Sequence, residues 1–307
     1  MSAASALSEI GPQRVFITGG TGFVGSGIVK SLQDSDLTLL VRSPSKASMP
    51  PNTTVVEGDV TDPASLAGKL DGFDVVIHLV GIIEEQGSVT FDSIIRQGTE
   101  NVVNEAKRAG MKHFIHMSAL GATDNPEYAY HTAKWKSEQA VKSSGLSYTI
   151  FRPSVIFGPG DGFINPLATL VRSFPVVPVV GTGQTKFQPV GLQDVADAFA
   201  RAVSDPDTTR NQMYELGGAR PYTYEQMLDV IAQEMGKKKS KVHVPVGLMK
   251  VVVRASHSLP KKLRPPVTSE QLKMLALDNS TVDSATEFLI GRKPLALEDG
   301  IAYVRAR

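Results

Sequence analysis

The stretch Val15-Phe-Ile-Thr-Gly19-Gly-Thr-Gly22-Phe-Val-Gly25 decides the fold expected for this chain. It runs from an apolar segment that predicts a strand into the start of an amphipathic helix, with glycines spaced G-x-x-G-x-x-G. Such glycines allow a tight turn, the approach of a pyrophosphate and close packing of the helix on the strand, while the helix amino terminus faces the phosphates. A packing turn alone is the alternative, but the strand–turn–helix context predicts a dinucleotide-binding turn. Its expected cofactor contacts are Gly19, Thr21, Gly22, Phe23, Val24 and Gly25.

Short apolar runs alternate with longer amphipathic runs through the first half of the chain. Strands are predicted over 14–18, 37–42, 54–57, 74–80, 112–118 and 147–152, and helices over 22–32, 91–109 and 132–143. Most of the strand runs are apolar on both faces, as expected of a parallel sheet covered by helices on both sides. The alternation loosens after Arg152. The predicted fold class is therefore α/β, a Rossmann-type doubly wound parallel sheet with a smaller C-terminal lobe.

The same pattern predicts how the 307 residues are organised. A flexible tail over 1–13 precedes a dinucleotide-binding domain over 14–155, to which later segments return at roughly 186–216. A smaller substrate or partner lobe takes 156–307. The first residues lack the basic and apolar regions of a secretory signal, and no run approaches the ~18 consecutive apolar residues of a transmembrane helix. We expect a cytoplasmic protein, or one attached peripherally to a membrane.

The amino-acid composition excludes several kinds of site. There is no cysteine, which excludes disulfides and thiolate metal sites, and the six histidines show no metal-ligand spacing, so no metal site is predicted. Thirty-two Lys and Arg against 31 Asp and Glu leave a net charge of +1, which argues against a dedicated nucleic-acid binder. Any redox chemistry must use a borrowed cofactor, because the chain has no redox group of its own.

The end of the second predicted strand favours one nicotinamide cofactor over the other. A site for NAD usually has an acidic residue there, which bonds the ribose hydroxyls. This sequence has Arg42 instead, followed by Ser43 and Lys46. A guanidinium can pair with a 2′-phosphate, and the other two side chains can assist it. The alternative is a solvated charge at a strand end. We therefore expect NADP(H) rather than NAD(H).

A Ser–Tyr–Lys set supplies the candidate catalytic residues. Ser118 ends the fifth predicted strand, and Tyr130 follows twelve residues later, with Lys134 four residues beyond it on the same helix face. An ammonium beside a phenol lowers the phenol pKa from about 10 towards neutrality, so Tyr130 can exchange a proton with a substrate oxygen while hydride moves. Ser118 would hold that oxygen, and Lys134 would also bond the nicotinamide ribose. Surface residues on an amphipathic helix are the alternative.

Taken together, these motifs resemble the short-chain dehydrogenase/reductase superfamily, in its extended or atypical branch that includes the NAD-dependent epimerases and dehydratases. The resemblance covers most of the chain. It implies that the turn at Asp59 contacts adenine and that a turn after the fourth strand packs on the cofactor. It also implies a segment beside the nicotinamide. The further cofactor contacts that it implies are Asp59, Val60, Leu79, Val80, Gly81, Tyr130, Lys134, Pro153 and Val155.

Within that superfamily the sequence is most similar to the NAD(P)H-binding accessory subunit of respiratory complex I and its bacterial relatives. The segments that carry this similarity are 78–83, 114–122, 156–161, 187–196 and 288–303. In that group the cofactor can be structural or regulatory, and some relatives are linked to ubiquinone biosynthesis. One departure bears on turnover: extended members usually have an Asn three residues before a Gly-Thr pair, and Ile95 occupies that place here.

The second half of the chain has a basic stretch over Met235–Pro266. Nine Lys and Arg lie there with no Asp or Glu between them, and the stretch includes an apolar run with Lys250 and Arg254 one helical turn apart. A basic amphipathic helix can lie on an anionic membrane, and a basic cluster can bind an acidic partner protein. A solvated surface beside a packed helix is the alternative. The run lacks interleaved aromatic residues, which disfavours nucleic acid.

Three functions remain open on the sequence. The first is an NADP(H)-binding reductase with hydride transfer at a carbonyl or alcohol. The second is a cofactor-loaded structural or sensing subunit that docks on a membrane complex, and the third is a nucleotide-sugar epimerase or dehydratase, which would normally use NAD. The loops over 163–188 and the region after Gly217 are rich in Val, Pro and Phe, which favours an apolar or quinone-like small-molecule substrate.

Overall fold

The computed structural model describes residues 13–44, 53–249, 272–273, 275 and 277–305. Within these ranges the chain divides into two compact units. The first takes the described residues up to Ser118 together with Ala133–Phe151 and Ala196–Tyr214. The second takes Ala119–Thr132, Arg152–Val195 and the described residues from Glu215 onward. The predicted tail, apart from Gln13, and most of the basic stretch, from Lys250 to Pro266, lie outside the described residues.

The first unit is built on a seven-stranded sheet with the order β11-β6-β5-β4-β1-β2-β3. Every neighbouring pair from β6 to β3 is parallel. The strands are β1 Arg14–Thr18, β2 Asp36–Val41, β3 Thr53–Glu57, β4 Val75–His78, β5 His113–Met117, β6 Tyr148–Pro153 and β11 Gln212–Leu216. The order reverses at β1, so the crevice beside its carboxyl end is where a doubly wound fold binds its ligand. The predicted α/β Rossmann-type fold is confirmed.

Helices cover this sheet, as the apolar strands require. They are α1 Phe23–Ser31, α2 Pro63–Leu66, α3 Gly98–Arg108, α4 Ala129–Lys142, α6 Leu192–Ser204 and α7 Pro206–Thr209. Phe16, Val76, Phe114 and Ile150 are fully buried on neighbouring strands and pack in one cluster with residues of α3, such as Val102. These four strands, β1, β4, β5 and β6, are therefore buried on both faces, which explains their nearly continuous apolar sequences, whereas the edge strands β3 and β11 are largely unburied.

The helix predicted over 91–109 has two parts. It begins as a π-helix at Asp92–Gln97 and continues as α3. Arg96 bonds both Asp92 and Glu100, one turn to either side, which ties the two parts together on the exposed face. π-helical turns widen a helix locally and often accompany functional sites. Here the widened turn carries Ile95, whose side chain is fully buried.

The second unit holds a separate core of its own. Its helices are α5 Ile164–Ser173, α8 Tyr224–Glu234, α9 Thr286–Ile290 and α10 Leu297–Gly300, followed by a 3₁₀ turn at Ala302–Arg305. Its short strands are β7 Ile156–Phe157, β8 Val176–Val180, β9 Lys186–Phe187, β10 Val190–Gly191, β12 Tyr222–Thr223 and β13 Ser240–Val244. Tyr222, Phe157 and Met227 lie at the centre of its core. In the described part of the chain no helix is long and apolar enough to cross a membrane.

Candidate functional site

The glycine-rich turn connects β1 to α1 in the way its spacing predicts. Gly19 has a φ of 79°, and its carbonyl accepts a hydrogen bond of 3.1 Å from the Gly22 backbone N–H. A methyl group at Gly25 would lie 2.3 Å from the Gly19 carbonyl oxygen, so only glycine fits where the helix crosses the turn. Gly22 caps α1, whose first turn carries no acidic side chain. The helix amino terminus is therefore suited to a pyrophosphate.

Arg42 follows β2 and faces a cavity of about 480 Å³ in the first unit. The cavity is lined by Arg42, Glu57, Gly58, Asp59, Ala64, Ser65, Ala67 and Lys69. Arg42 and Asp59, which the sequence assigned to the adenosine end of the cofactor, thus share one cavity. Ser43 is exposed beside Arg42, whereas Lys46 lies outside the described residues.

Lys69 is a residue of this cavity that the sequence did not predict. It lies 27 positions after Arg42 and follows the short helix α2, so no local spacing connects the two side chains. The fold brings both cations to one cavity. Asp59, on the same cavity, accepts bonds of 2.9 and 2.8 Å on one carboxylate oxygen from the backbone N–H and the hydroxyl of Thr61, which holds the turn after β3 in place.

Lys134 is buried in the first unit, with 2% of its surface exposed. Its ammonium donates a hydrogen bond of 2.8 Å to the Met117 carbonyl at the end of β5. It also lies close to Gly81, where an added Cβ would approach Nζ to 3.4 Å. Burial lowers the pKa of Lys134 to about 8, although Glu138 opposes the shift. Lys134 thus lies against the turn over 79–81, for which the resemblance implied contact with the cofactor.

Ser118 has a partner that the sequence did not predict. Its hydroxyl donates a hydrogen bond of 2.5 Å to Glu138, and both side chains are buried. Glu138 lies on α4, one turn after Lys134. The Ser118 hydroxyl therefore donates its proton to Glu138, whereas the sequence led us to expect a bond to a substrate oxygen. The hydroxyl oxygen keeps lone pairs that can accept, and the assignment of Ser118 as catalytic stays a prediction.

Tyr130 lies on α4 one helical turn before Lys134, as predicted, although this part of the helix belongs to the second unit. Burial raises the pKa of Tyr130 to about 12, so its hydroxyl keeps its proton near neutral pH. This is opposite to the direction expected from a neighbouring ammonium, because loss of solvent disfavours the phenolate. Pro153 and Val155 also belong to the second unit, where the Val155 backbone N–H donates to Asn279. Within the described residues, no group of three His, Asp or Glu could hold a metal ion.

The comparisons with known proteins identify the family. Residues 19–206 match the family model described as NAD(P)H-binding. Because this match takes in more than half of the chain, the protein belongs to that NAD(P)H-binding family, within the extended short-chain dehydrogenase/reductase type of fold. It therefore binds a nicotinamide cofactor and belongs to a group of NAD(P)-dependent oxidoreductase-like proteins.

Its curated relatives have several different names. The chain is 26% identical over 288 residues to subunit 9 of the NADH dehydrogenase [ubiquinone] 1 alpha subcomplex of Arabidopsis thaliana, covering 89% of this chain and 72% of that protein. It is 31% identical over 237 residues to the ceramide reductase of Caulobacter vibrioides, covering 75% and 73%. The predicted similarity to the complex I accessory subunit is thereby confirmed, and the relatives include a reductase.

Solved structures confirm the fold. The NADPH-dependent quinone oxidoreductase of Escherichia coli, solved with NADPH, superposes with a TM-score of 0.72 at 24% identity, covering 94% of this chain and 99% of that one. The dTDP-glucose 4,6-dehydratase of Streptomyces venezuelae, solved with NAD, gives a TM-score of 0.72 at 20% identity over 96% of each chain. The same fold thus carries either nicotinamide cofactor.

Proposed function

We propose that this protein is an NADP(H)-dependent reductase that transfers hydride to a carbonyl or quinone-like substrate. The observation that carries the proposal lies in the first unit, where Arg42 and Lys69 line one cavity together with Glu57 and Asp59, and where a buried Lys134 lies against the turn at Gly81. The two features lie where the two ends of a dinucleotide belong in this fold. Tyr130, one turn before Lys134, supplies a protonated hydroxyl.

The side chains support the reductive direction. NADPH, when bound, supplies the hydride. Tyr130 donates its proton to the substrate oxygen as that oxygen gains negative charge, which a hydroxyl that stays protonated near neutral pH can do. The Lys134 ammonium, held by the Met117 carbonyl, orients the cofactor ribose.

Replacing Arg42 tests the choice of cofactor. We expect Arg42→Ala to raise the Kd for NADPH by about 10- to 100-fold, because a charge-assisted bond to the 2′-phosphate is lost. The Kd for NADH, which lacks that phosphate, should change by less than about twofold. Lys69→Ala should act in the same direction, because its ammonium lines the same cavity. Isothermal titration with both nucleotides measures these changes.

Lys107→Ala is the matched control for net charge. Lys107 is an exposed lysine in the last turn of α3 and does not line the cavity. It should leave both affinities unchanged. Equal losses for NADPH and NADH in Arg42→Ala would contradict NADP selection. Tighter binding of NADH than of NADPH to the unaltered protein would favour the epimerase or dehydratase alternative, which normally uses NAD.

A specific observation also supports the second candidate role, attachment to an anionic membrane surface. β8 and β13 pair in parallel, and their outward face carries Val176, Pro178, Val180, Ser240, Val242 and Val244. Five of these six residues are apolar, and Val176 and Val242 are each more than 40% exposed. Lys237, Lys238 and Lys239 immediately precede β13. We propose that this face, flanked by cations, contacts the headgroup region of anionic lipids, because apolar burial and charge attraction act together there.

Vesicle binding tests this surface. We expect the protein to sediment with phosphatidylserine vesicles at low salt and much less with phosphatidylcholine vesicles. Val242→Asp should weaken binding about tenfold, because a carboxylate replaces an apolar side chain that lipid binding would bury and because it repels the anionic headgroups. Val282→Asp is the matched control: Val282 is 98% exposed and is not part of this sheet face. Equal effects of both variants, or no binding to either vesicle, would contradict the membrane role and leave an acidic protein as the partner.

A further inference from the structure

A buried chain of hydrogen bonds runs through the first unit beneath the cofactor turns. Thr99 donates to the Ile95 carbonyl at 2.6 Å, and the Ser137 hydroxyl lies within hydrogen-bond distance of two carbonyls, that of Ile95 at 3.0 Å and that of Ala133 at 2.9 Å. The Thr99 hydroxyl lies 3.0 Å from Nε2 of His78, and Nδ1 of His78 lies 2.6 Å from the Thr18 hydroxyl. Ser137, Ile95, Thr99, His78 and Thr18 have no exposed surface. The chain therefore links α4, the π-helical turn, α3, β4 and β1 without solvent.

The directions of the bonds around His78 follow from the number of protons available. The one hydroxyl proton of Thr99 goes to the Ile95 carbonyl, so Thr99 must accept from Nε2–H of His78. A neutral imidazole carries a single N–H, so its Nδ1 accepts the hydroxyl proton of Thr18. Every group is satisfied when His78 is neutral with its proton on Nε2. Burial lowers the pKa of His78 to about 3, which keeps the ring neutral.

The two ends of this chain lie next to cofactor-binding elements. Thr18 directly precedes Gly19, and His78 directly precedes the turn over 79–81. These two turns touch: a Cβ on Gly19 would lie 3.1 Å from the Val80 nitrogen. At the other end, Ser137 lies on α4 three residues after Lys134. The chain thus joins the pyrophosphate turn, the turn beside it and the helix that carries Lys134.

A second imidazole, that of His116, stacks on His78. The two ring centroids are 5.5 Å apart, and the ring planes are 11° apart. His116 is fully buried, and among the described residues neither of its ring nitrogens has a hydrogen-bond partner. It presents its ring face to His78, and Phe114 tilts against His78 at 6.2 Å. The two ring nitrogens of His78 thus bond Thr18 and Thr99, and the two neighbouring rings pack against the imidazole.

We propose that His78 is a positioning residue of the cofactor site, which fixes the two cofactor turns and the helix of Lys134 relative to one another through Thr18 and Thr99. Ile95 occupies the place where an Asn is usual in this type of protein, and its carbonyl, rather than a side chain, anchors the chain. The proposal rests on nicotinamide-cofactor binding alone. It does not require a preference for NADP or turnover.

Thr18→Val tests the proposal, since valine keeps the shape and removes only the hydroxyl that His78 accepts from. The matched control is Thr149→Val. Thr149 is equally buried and bonds His113 at 2.9 Å, but His113 begins β5 and so lies at the opposite end of the strands from the cofactor turns. Both variants lose a buried threonine–histidine bond, so both should lower Tm. Only Thr18→Val should raise the Kd, by about fivefold and equally for NADPH and NADH.

Thr99 supplies a second pair of variants. Thr99→Val should raise the Kd for both nucleotides like Thr18→Val, and Thr99→Ser, which restores a hydroxyl, should return it towards the original value. The proposal is overturned if Thr18→Val and Thr149→Val change the Kd equally, or if folded Thr18→Val binds both nucleotides as the unaltered protein does. A loss for NADPH alone would also overturn it, because the chain acts on parts that the two nucleotides share. If instead the proposed preference for NADP is wrong, the titrations of Arg42→Ala will show equal losses for NADPH and NADH.

Discussion

Tyr130→Phe should lower the rate of NADPH oxidation by about 10²- to 10⁴-fold, the range that a positioned general acid contributes. Phenylalanine keeps the ring and removes only the hydroxyl. Because burial holds the pKa of Tyr130 at about 12, the hydroxyl is a proton donor throughout the neutral range. The Kd for NADPH should change by less than about twofold.

The measurement uses NADPH with a short-chain quinone and with small aldehydes and ketones as acceptors, since both acceptor classes fit the proposed hydride transfer. Tyr128→Phe is the matched control, because Tyr128 lies two residues away and has Thr132, not a lysine, four residues beyond it. It should retain full activity. An unchanged rate in Tyr130→Phe would remove the catalytic assignment. A protein that binds NADPH tightly but reduces none of these acceptors would support the structural or sensing alternative.

The sequence was sufficient for the sheet of the first unit. β1 is predicted to the residue, and the bounds of β2 to β6 differ from the predicted runs by one or two residues. Apart from the edge strand β3, which has no fully buried residue, these strands are buried on both faces, so their apolar runs are continuous. The glycine turn was equally predictable, because the overlap of a Gly25 side chain with the Gly19 carbonyl is a property of the local backbone.

The contacts between elements were not predictable in the same way. Lys69 reaches the cavity of Arg42, and Glu138 receives the proton of Ser118, through packing that no spacing in the sequence encodes. A periodic pattern shows which face of a helix is buried, but it does not show which buried side chains meet across elements. Glu138 does lie four residues after Lys134, and that spacing could have drawn attention to it.

The pKa of Tyr130 is a second property that sequence spacing did not predict correctly. The spacing to Lys134 predicts an attraction that lowers the phenol pKa, but the cost of removing a phenolate from water depends on burial, which the sequence does not state. Burial is the larger effect and raises the pKa to about 12. Spacing alone therefore placed Tyr130 one helical turn before Lys134 but gave the wrong direction for the pKa shift of Tyr130.

Gly25→Val should abolish measurable binding of both NADPH and NADH, with a rise in Kd of at least about 100-fold, or ~2.7 kcal/mol. The first added carbon would lie 2.3 Å from the Gly19 carbonyl oxygen and 2.6 Å from the Gly20 Cα, and backbone atoms cannot move aside as a flexible side chain can. The helix must therefore shift away from the turn, and the α1 amino terminus loses its place at the pyrophosphate.

Gly247→Ala is the control for glycine replacement as such, because an added Cβ there meets nothing within 4 Å. It should leave the Kd unchanged. Circular dichroism and a cooperative melting transition would show that Gly25→Val remains folded, so that the binding loss reports the turn and not the whole unit. Since the pyrophosphate is common to both nucleotides, Gly25→Val must affect NADPH and NADH alike, whereas Arg42→Ala should affect NADPH alone. If folded Gly25→Val still bound either nucleotide normally, the cofactor would have to lie elsewhere than at this turn.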